Sequence, residues 1–240
     1  MAKRLLVFGA HADDETIGMG ATIALLNELG YEIQVVTFCW SKEKDWQDTG
    51  YARPDWRETI AEMRRREALE ADKILGVRER VGLGLPTQGV VNDKATYQHV
   101  VELIRRFKPL AIFTHYYRDK HRDHRAVSHI TTEAWWKASE KVLTDKGEPW
   151  KATSLFFYEI FDLFTRPSHV ADVSNTMYRK VEALRCFKSQ MPVLSDVISY
   201  VEGLAMARGY IIGVKYGEAF LSSNFMPTRL EKTLESLEET

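Results

Sequence analysis

The 240-residue sequence has few cysteines, almost no net charge and no long apolar run. Cys39 and Cys186 are too few for a disulfide framework or a four-thiolate zinc site, so we expect a reducing, cytoplasmic location. The formal charge of −1 lacks the basic balance that nucleic-acid binding requires. No apolar run reaches 18 residues, and the one near the N-terminus ends at Ala10, so neither a membrane span nor a signal peptide is predicted.

The remaining composition is typical of a folded globular protein. Hydrophobic residues make up 45% of the chain and charged residues 28%, which excludes a disordered or low-complexity sequence. A chain of this length can bury enough surface to fold without disulfide bonds, and it allows one large domain or two small ones.

Short apolar runs alternate with helix-like stretches along the chain. This alternation predicts parallel strands joined by right-handed crossovers. We therefore predict a single α/β domain over residues 1–240, with a core at about 1–135 and C-terminal elements at about 150–225. Its sheet is expected to be doubly wound, Rossmann-like and mostly parallel, with helices on both faces. Strands are predicted at 4–10, 32–39, 77–85, 110–114 and 155–160, and helices at 16–30, 56–75, 97–107, 125–142 and 177–189.

Two clusters of acidic residues and histidines directly follow predicted strands. The first is His11-Ala12-Asp13-Asp14-Glu15, and the second spans residues 119–124 with the sequence DKHRDH. In an open parallel sheet, ligands bind beyond the carboxyl ends of the strands, near the point where the strand order reverses. We therefore expect the two clusters to converge at one edge of the sheet.

Three side chains in these clusters have the chemistry of a zinc site. His11 and Asp14 are three residues apart, so one tight turn can direct both toward the same ion. His124 would complete a His–Asp–His set, and catalytic zinc usually takes three protein ligands and leaves a position for water. Zinc is the expected metal, and another divalent ion is the alternative.

Their neighbours carry groups suited to hydrolysis. Asp13 must project differently from Asp14, so it is placed to act as the general base for a water that the metal activates. His121, one turn before His124, is expected to stabilise the oxyanion or to protonate the leaving amine. Asp123 is expected to orient a histidine and to fix its tautomer.

Each cluster also has a structural interpretation. The acidic run after the first strand could cap a helix and complement its dipole. Residues 119–124 could form an exposed charged loop. The occurrence of both clusters after strands favours a joint site over two unrelated surface features.

At these residues the sequence resembles the PIG-L/LmbE-like deacetylase family. The first cluster is similar to the family's His-Pro-Asp-Asp-Glu motif, and Asp119-x-His121-x-Asp123-His124 is similar to its second motif. The resemblance runs through most of the chain and includes residues 64–67, 82–86 and 217–220. Ala12 stands where the family has proline, and Thr87 stands where many relatives have aspartate.

The resemblance implies a zinc-dependent hydrolase that removes the N-acetyl group from an N-acetylglucosamine-type sugar or conjugate. It also implies a small-molecule amino-sugar substrate and a homo-oligomer, without a nucleic-acid or membrane partner. Arg64 matches an arginine associated with substrate binding, although a structural pairing with Glu67 is equally compatible with the sequence. By position, the metal ligands fall on His11, Asp14 and His124, the general base on Asp13, the electrostatic histidine on His121, and the residue that orients that histidine on Asp123.

Other functions and roles stay open at this point. The same site could serve another metal-dependent amidase or deaminase, or the fold could be a non-catalytic sugar-binding module. Trp46, Tyr51 and Trp56, in and beside the long polar loop at 41–55, could stack on a sugar. Packing of these aromatic side chains in the core or at a subunit interface is at least as compatible with the sequence.

Overall fold

The computed structural model of the chain describes residues 3–40 and 60–227. The loop aromatics Trp46, Tyr51 and Trp56 lie outside the described residues, and so does the start of the helix predicted at 56. The described helix begins at Ile60.

Within the described residues, seven strands form one mixed sheet with the order β3-β2-β1-β4-β5-β7-β6. The pairs β1–β2, β2–β3, β1–β4 and β4–β5 are parallel, and β7 runs antiparallel to both β5 and β6. The predicted doubly wound, mostly parallel α/β fold is confirmed. The strands are β1 Arg4–Gly9, β2 Glu32–Thr37, β3 Val77–Gly82, β4 Ala111–His115, β5 Ser154–Tyr158, β6 His169–Asp172 and β7 Gly217–Ser222.

Helices cover both faces of the sheet because successive strand residues point to opposite sides. In β1, Leu5 and Val7 pack into one buried cluster, whereas Leu6 and Phe8 pack into the other. None of the described helices combines the length and the apolar character needed to cross a bilayer. The described helices are α1 Asp14–Glu28, α2 Ile60–Leu75, α3 Lys94–Phe107, α4 Arg122–Ala138, α5 Met177–Leu184, α6 Met191–Leu194 and α7 Val197–Ile212, with a short 3-10 turn at Thr144–Lys146.

Helix α1 is kinked, and a buried carboxylate caps its second half. Met19 leaves the helical region with φ −147° and ψ 24°, which frees backbone N–H groups in the next turn. Glu218 of β7 accepts hydrogen bonds from the N–H groups of Ala21 (3.3 Å) and Thr22 (2.6 Å). The same carboxylate pairs with the buried Lys180 ammonium at 2.6 Å. Strand β7 therefore fixes the helix that begins at Asp14.

We expect Glu218→Ala to lower the free energy of unfolding by about 3–5 kcal/mol, because it leaves a buried ammonium without its counter-charge. Glu140→Ala is the matched control. Glu140 also pairs with a lysine at 2.6 Å, but that pair with Lys137 is partly exposed and should contribute about 1 kcal/mol or less. Urea denaturation followed by circular dichroism measures both. Equal losses would contradict the role of the Glu218 cap.

Candidate metal and catalytic site

The two polar clusters meet at the carboxyl ends of β1 and β4. These strands are neighbours at the centre of the sheet, where the strand order reverses. The chain leaves β1 toward α1, which packs with one buried cluster, and leaves β4 toward α4, which packs with the other. The site residues predicted from the sequence are brought together here: His11, Asp13, Asp14, Arg64, His121, Asp123 and His124.

The buried Asp14 carboxylate lies among three imidazole rings. Its oxygens are 3.2 Å from His11 Nδ1, 3.1 Å from His115 Nε2 and 3.3 Å from His124 Nε2. The backbone N–H of His11 also donates to Asp14 Oδ2 at 2.6 Å, which fixes the carboxylate within the turn after β1. The spacing of three residues therefore places both side chains of the pair at one point, as the sequence predicts.

A second carboxylate lies behind each of two histidines. Asp123 Oδ2 is 3.2 Å from His11 Nε2, and Asp119 Oδ1 is 3.2 Å from His124 Nδ1. Such carboxylate–histidine pairs fix the orientation and tautomer of rings that bind metal ions. The nitrogens that remain, His11 Nδ1 and His124 Nε2, are those turned toward Asp14.

The contact of Asp123 differs from the one that the resemblance implied. Its carboxylate contacts His11 and accepts hydrogen bonds from the N–H groups of Gln88 (2.6 Å) and Val90 (3.3 Å). Its contact with His121 goes through the backbone, where the Asp123 N–H donates to His121 Nδ1 at 3.2 Å. Asp123 thus orients the first-cluster histidine with its side chain and the second-cluster histidine with its main chain.

His121 is held at the start of α4 with one nitrogen free to donate. Because its Nδ1 accepts a hydrogen bond, the proton of the neutral ring lies on Nε2. Burial and the neighbouring charges of His11 and His124 lower the pKa of His121, so the ring is neutral at pH 7. Its centroid lies 4.8 Å from that of His11 and 4.6 Å from that of His124.

The side chain of Asp13 pairs with Arg64 and makes no capping hydrogen bond. Asp13 occupies the N-cap position of α1, but its carboxylate accepts no hydrogen bond from the helix. Instead, Arg64 Nη2 donates to Asp13 Oδ1 at 3.1 Å. The helix-cap interpretation therefore does not account for Asp13. Glu67, the other partner considered for Arg64, accepts hydrogen bonds from the backbone and hydroxyl of Ser189.

The electrostatics of the site favour a positive charge at its centre. Burial opposes ionisation of Asp14, but the surrounding histidines hold its pKa well below its usual range. Burial also disfavours the charged form of His124, yet Asp14 and Asp119 raise the pKa of His124 to about 9. A divalent cation can supply the charge that protons on these rings would otherwise provide.

The donor groups also fit a metal ion. Within residues 3–40 and 60–227, one potential metal group combines His11, His121 and His124, and another combines Asp14, His115 and His124. In each group the ligand atoms lie within 4.8 Å of one another. Imidazole nitrogens and a carboxylate oxygen are the donors that zinc takes in catalytic sites.

Two residues of the cluster were missed by the sequence reasoning. Asp119 belongs to the second motif, and its position there was the only signal for the contact with His124. His115 directly ends β4, is fully buried, and stacks on His124 with centroids 4.0 Å apart. Its Nε2 accepts a hydrogen bond from the Ala10 N–H at 2.8 Å, which ties β4 to the turn after β1. Burial, followed by the charge of His124, lowers the pKa of His115 to about 4.

The fold and this cluster define an α/β protein with a His/Asp cluster that can hold a metal ion at the switch point of its sheet. Residues 6–135 match the PIG-L family, described as GlcNAc-PI de-N-acetylase. The chain belongs to this family, and the matched region contains every residue of the site predicted from the sequence.

Individual relatives have different reported activities. The chain is 26% identical over 223 residues to the 4-oxalmesaconate hydratase of Pseudomonas putida. This alignment covers 86% of this chain and 80% of that protein. The chain is 30% identical over 185 residues to the 1D-myo-inositol 2-acetamido-2-deoxy-α-D-glucopyranoside deacetylase of Rhodococcus erythropolis, covering 66% and 61%. A solved structure of a conserved protein from Thermus thermophilus superposes with a TM-score of 0.82 at 26% identity, covering 96% of this chain and 98% of that one.

Proposed function

We propose that this chain is a zinc-dependent hydrolase that removes the N-acetyl group from an N-acetylglucosamine-type sugar or conjugate. The observation that carries the proposal is the buried Asp14 carboxylate, which is surrounded by imidazoles and lies beside a second carboxylate, Asp13, that no helix cap uses. Binding alone needs no base beside the metal ligands, so this arrangement favours an enzyme over a sugar-binding module. The PIG-L family and the Rhodococcus deacetylase support the same reaction class.

In this proposal His11, Asp14 and His124 hold the metal ion. When bound, zinc supplies Lewis acidity, which polarises the acetamide carbonyl and lowers the pKa of water. Asp123 and Asp119 orient the two histidines from behind, and His115 packs against His124. Another divalent metal with the same preference for nitrogen and oxygen donors is the alternative.

The remaining residues of the site move and hold protons. Asp13 takes a proton from the attacking water, whose oxygen forms the new bond to the carbonyl carbon. Arg64 holds Asp13 Oδ1, which leaves Oδ2 for that proton. The Nε2–H of His121 donates a hydrogen bond to the developing oxyanion. When the C–N bond breaks, the proton on Asp13 goes to the leaving nitrogen. The second proton of the water leaves the new carboxyl group for the amine or for solvent, so the products are acetate and the amine.

Arg64 also lines a small cleft next to the turn that carries Asp13. The other lining residues include Cys39, Trp40, Arg65 and Thr87. The Arg64 guanidinium contacts both this cleft and Asp13, so its remaining N–H groups are suited to bind a sugar hydroxyl above the site. We therefore assign Arg64 to substrate binding as well as to holding Asp13.

A cytoplasmic homo-oligomer is part of the same proposal. Both Cys39 and Cys186 are free thiols, which supports a reducing compartment. Helix α7 exposes the large apolar side chains of Met206, Tyr210 and Ile211, which supports burial against another subunit. Size-exclusion chromatography with light scattering measures the oligomeric state.

Hydration of a conjugated double bond is a second candidate activity. The observation that favours it is the similarity to the Pseudomonas hydratase over 86% of this chain. The same general base could deprotonate water for addition to a carbon–carbon double bond.

A substrate panel separates the two activities. With the zinc-loaded protein, we expect N-acetylglucosamine, its short oligomers or its conjugates to release acetate and free amine in equal amounts. 4-Oxalmesaconate, the substrate in the name of the Pseudomonas hydratase, should keep its ultraviolet absorbance in the same assay. Loss of that absorbance without acetate release from any N-acetylated sugar would replace the deacetylase proposal with the hydratase.

A further inference from the structure

An exposed aromatic ring lies beside the proposed metal site. Phe161, in the loop after β5, keeps 43% of its surface exposed. Its ring lies 5.6 Å from the ring of His124, centroid to centroid, and the two planes are within 3° of parallel. An exposed apolar ring next to charged side chains is a feature that the proposed proton transfers do not require.

The backbone on both sides of Phe161 is fixed by hydrogen bonds. The Phe161 N–H donates to Asp119 Oδ2 at 3.1 Å, and Asp162 Oδ2 accepts the Lys120 N–H at 2.6 Å. Asp119 also lies behind His124, so one carboxylate holds both the aromatic residue and the metal-site histidine.

A buried ion pair fixes the other end of the loop. Arg208 of α7 donates two hydrogen bonds of 2.7 Å to the Glu159 carboxylate and one of 2.8 Å to the Phe164 carbonyl. The Phe164 N–H donates to Glu159 Oε2 at 2.6 Å. The backbone that carries Phe161 is therefore held in place before any ligand binds, so little backbone entropy remains to be lost.

A pyranose ring of the gluco series complements such a surface. Its hydroxyl and acetamido groups are equatorial, so its two faces present axial C–H bonds and are apolar. An acetamide whose carbonyl lies at His121 and His124 brings the sugar ring close to the aromatic ring stacked on His124. Lys120 Nζ lies over the Phe161 ring, 5.1 Å from its centroid. Because this side chain is exposed, its ammonium can turn away from the ring and toward a hydroxyl at the edge of the sugar.

We propose that Phe161 is a specificity-determining residue that stacks on the apolar face of the sugar that carries the acetamide. The inference rests on the proposed deacetylase function and adds the ring-recognition surface. It selects a cyclic amino sugar over an acyclic N-acetylated amine.

The kinetic test compares Phe161→Ala with the wild type on two substrates. For an N-acetylglucosaminide, KM should rise about tenfold while kcat stays within about twofold, because stacking stabilises ground and transition states alike. For N-acetylethanolamine, which has no ring, neither constant should change. Phe161→Trp, which keeps an aromatic ring at this position, should have the low KM of the wild type for the sugar.

Phe225→Ala is the matched control. Phe225 is also an exposed phenylalanine, 49% accessible, but it contacts Trp136 near the far end of α4. We expect this variant to match the wild type on both substrates.

Calorimetric binding of N-acetylglucosamine to zinc-loaded Asp13→Asn protein, with and without Phe161→Ala, separates the inference from the proposed function, because the sugar is not turned over during the titration. Weaker binding by the protein with Phe161→Ala, together with acetate release by the wild type, supports both. Weaker binding without any acetate release keeps the sugar-stacking role and rejects the deacetylase. The stacking role is overturned if Phe161→Ala has the KM of the wild type, or if sugar binding is unchanged or absent. It is also overturned if activity falls equally on both substrates, which would indicate that the ring only shields the metal site.

Discussion

Asp13→Asn should lower kcat by about 10²–10⁴-fold while the protein keeps one zinc ion per chain. Asparagine has nearly the size of aspartate, and its carbonyl oxygen can still accept the hydrogen bond from Arg64. It cannot take a proton from water at neutral pH, so only the proton transfer is lost. Acetate release gives kcat, and elemental analysis gives the zinc content.

Asp93→Asn provides the matched control for this variant. Asp93 is the N-cap of α3 and accepts the Thr96 N–H at 2.8 Å, a bond that asparagine can also accept. If Asp13 acted only as the cap of α1, both substitutions would leave turnover unchanged. Full activity in Asp13→Asn would falsify its role as general base, and loss of zinc would place it among the metal ligands.

Removal of the metal should reduce turnover by about a thousandfold or more, and added zinc should restore it. A Lewis acid contributes several kcal/mol to transition-state stabilisation, and each 1.36 kcal/mol corresponds to a factor of ten in rate. Dialysis against a chelator followed by titration with zinc measures the loss and the recovery. Undiminished acetate release after complete chelation would exclude the metal-dependent mechanism.

Asp14→Asn tests the ligand set directly. The substitution removes the negative charge of the carboxylate that contacts three histidines. We therefore expect zinc affinity to fall by at least about tenfold to a hundredfold. Competition with a chromophoric chelator measures the affinity independently of activity. Asp172→Asn, at an exposed aspartate that accepts hydrogen bonds from Ser174, should bind zinc like the wild type.

The parallel part of the sheet could be predicted because its strands are buried on both faces. The runs that form β1 and β4 are largely apolar, and the run that forms β2 is rich in β-branched residues. None of the three alternates regularly, a pattern typical of strands covered by helices on both sides. Once these strands are placed, the reversal of strand order and the meeting of both polar clusters follow from general rules.

The C-terminal part of the fold was harder to predict because its signals are short or ambiguous. Strand β6 has four residues, and its ends His169 and Asp172 are exposed, so no periodicity develops. Helix α7 is apolar on nearly every side, and its exposed isoleucines and tyrosines obscure the buried stripe through Val201 and Ala205. Antiparallel pairing of β7 between β5 and β6 depends on contacts across the whole domain.

Within the site, the sequence indicated which residues converge but not which atoms meet. The partners of Asp123 and Arg64 depend on how α2 and α4 pack against the ends of β1 and β4, which residue spacing does not determine. The link between Asp119 and Phe161 joins two loops that are 42 residues apart. No local pattern in the sequence records such a contact.

The carboxylate that caps the second half of α1 has a consequence for how the chain folds. Glu218 lies 197 and 196 residues after Ala21 and Thr22, whose N–H groups donate hydrogen bonds to it. This helix is therefore completed only when almost all of the chain is available. Contacts of such long sequence separation slow folding and keep partly folded intermediates exposed. We therefore expect the turn after β1, which carries His11 and Asp14, to become ordered late, after translation of β7. This turn would then remain immature until a distant C-terminal strand docks.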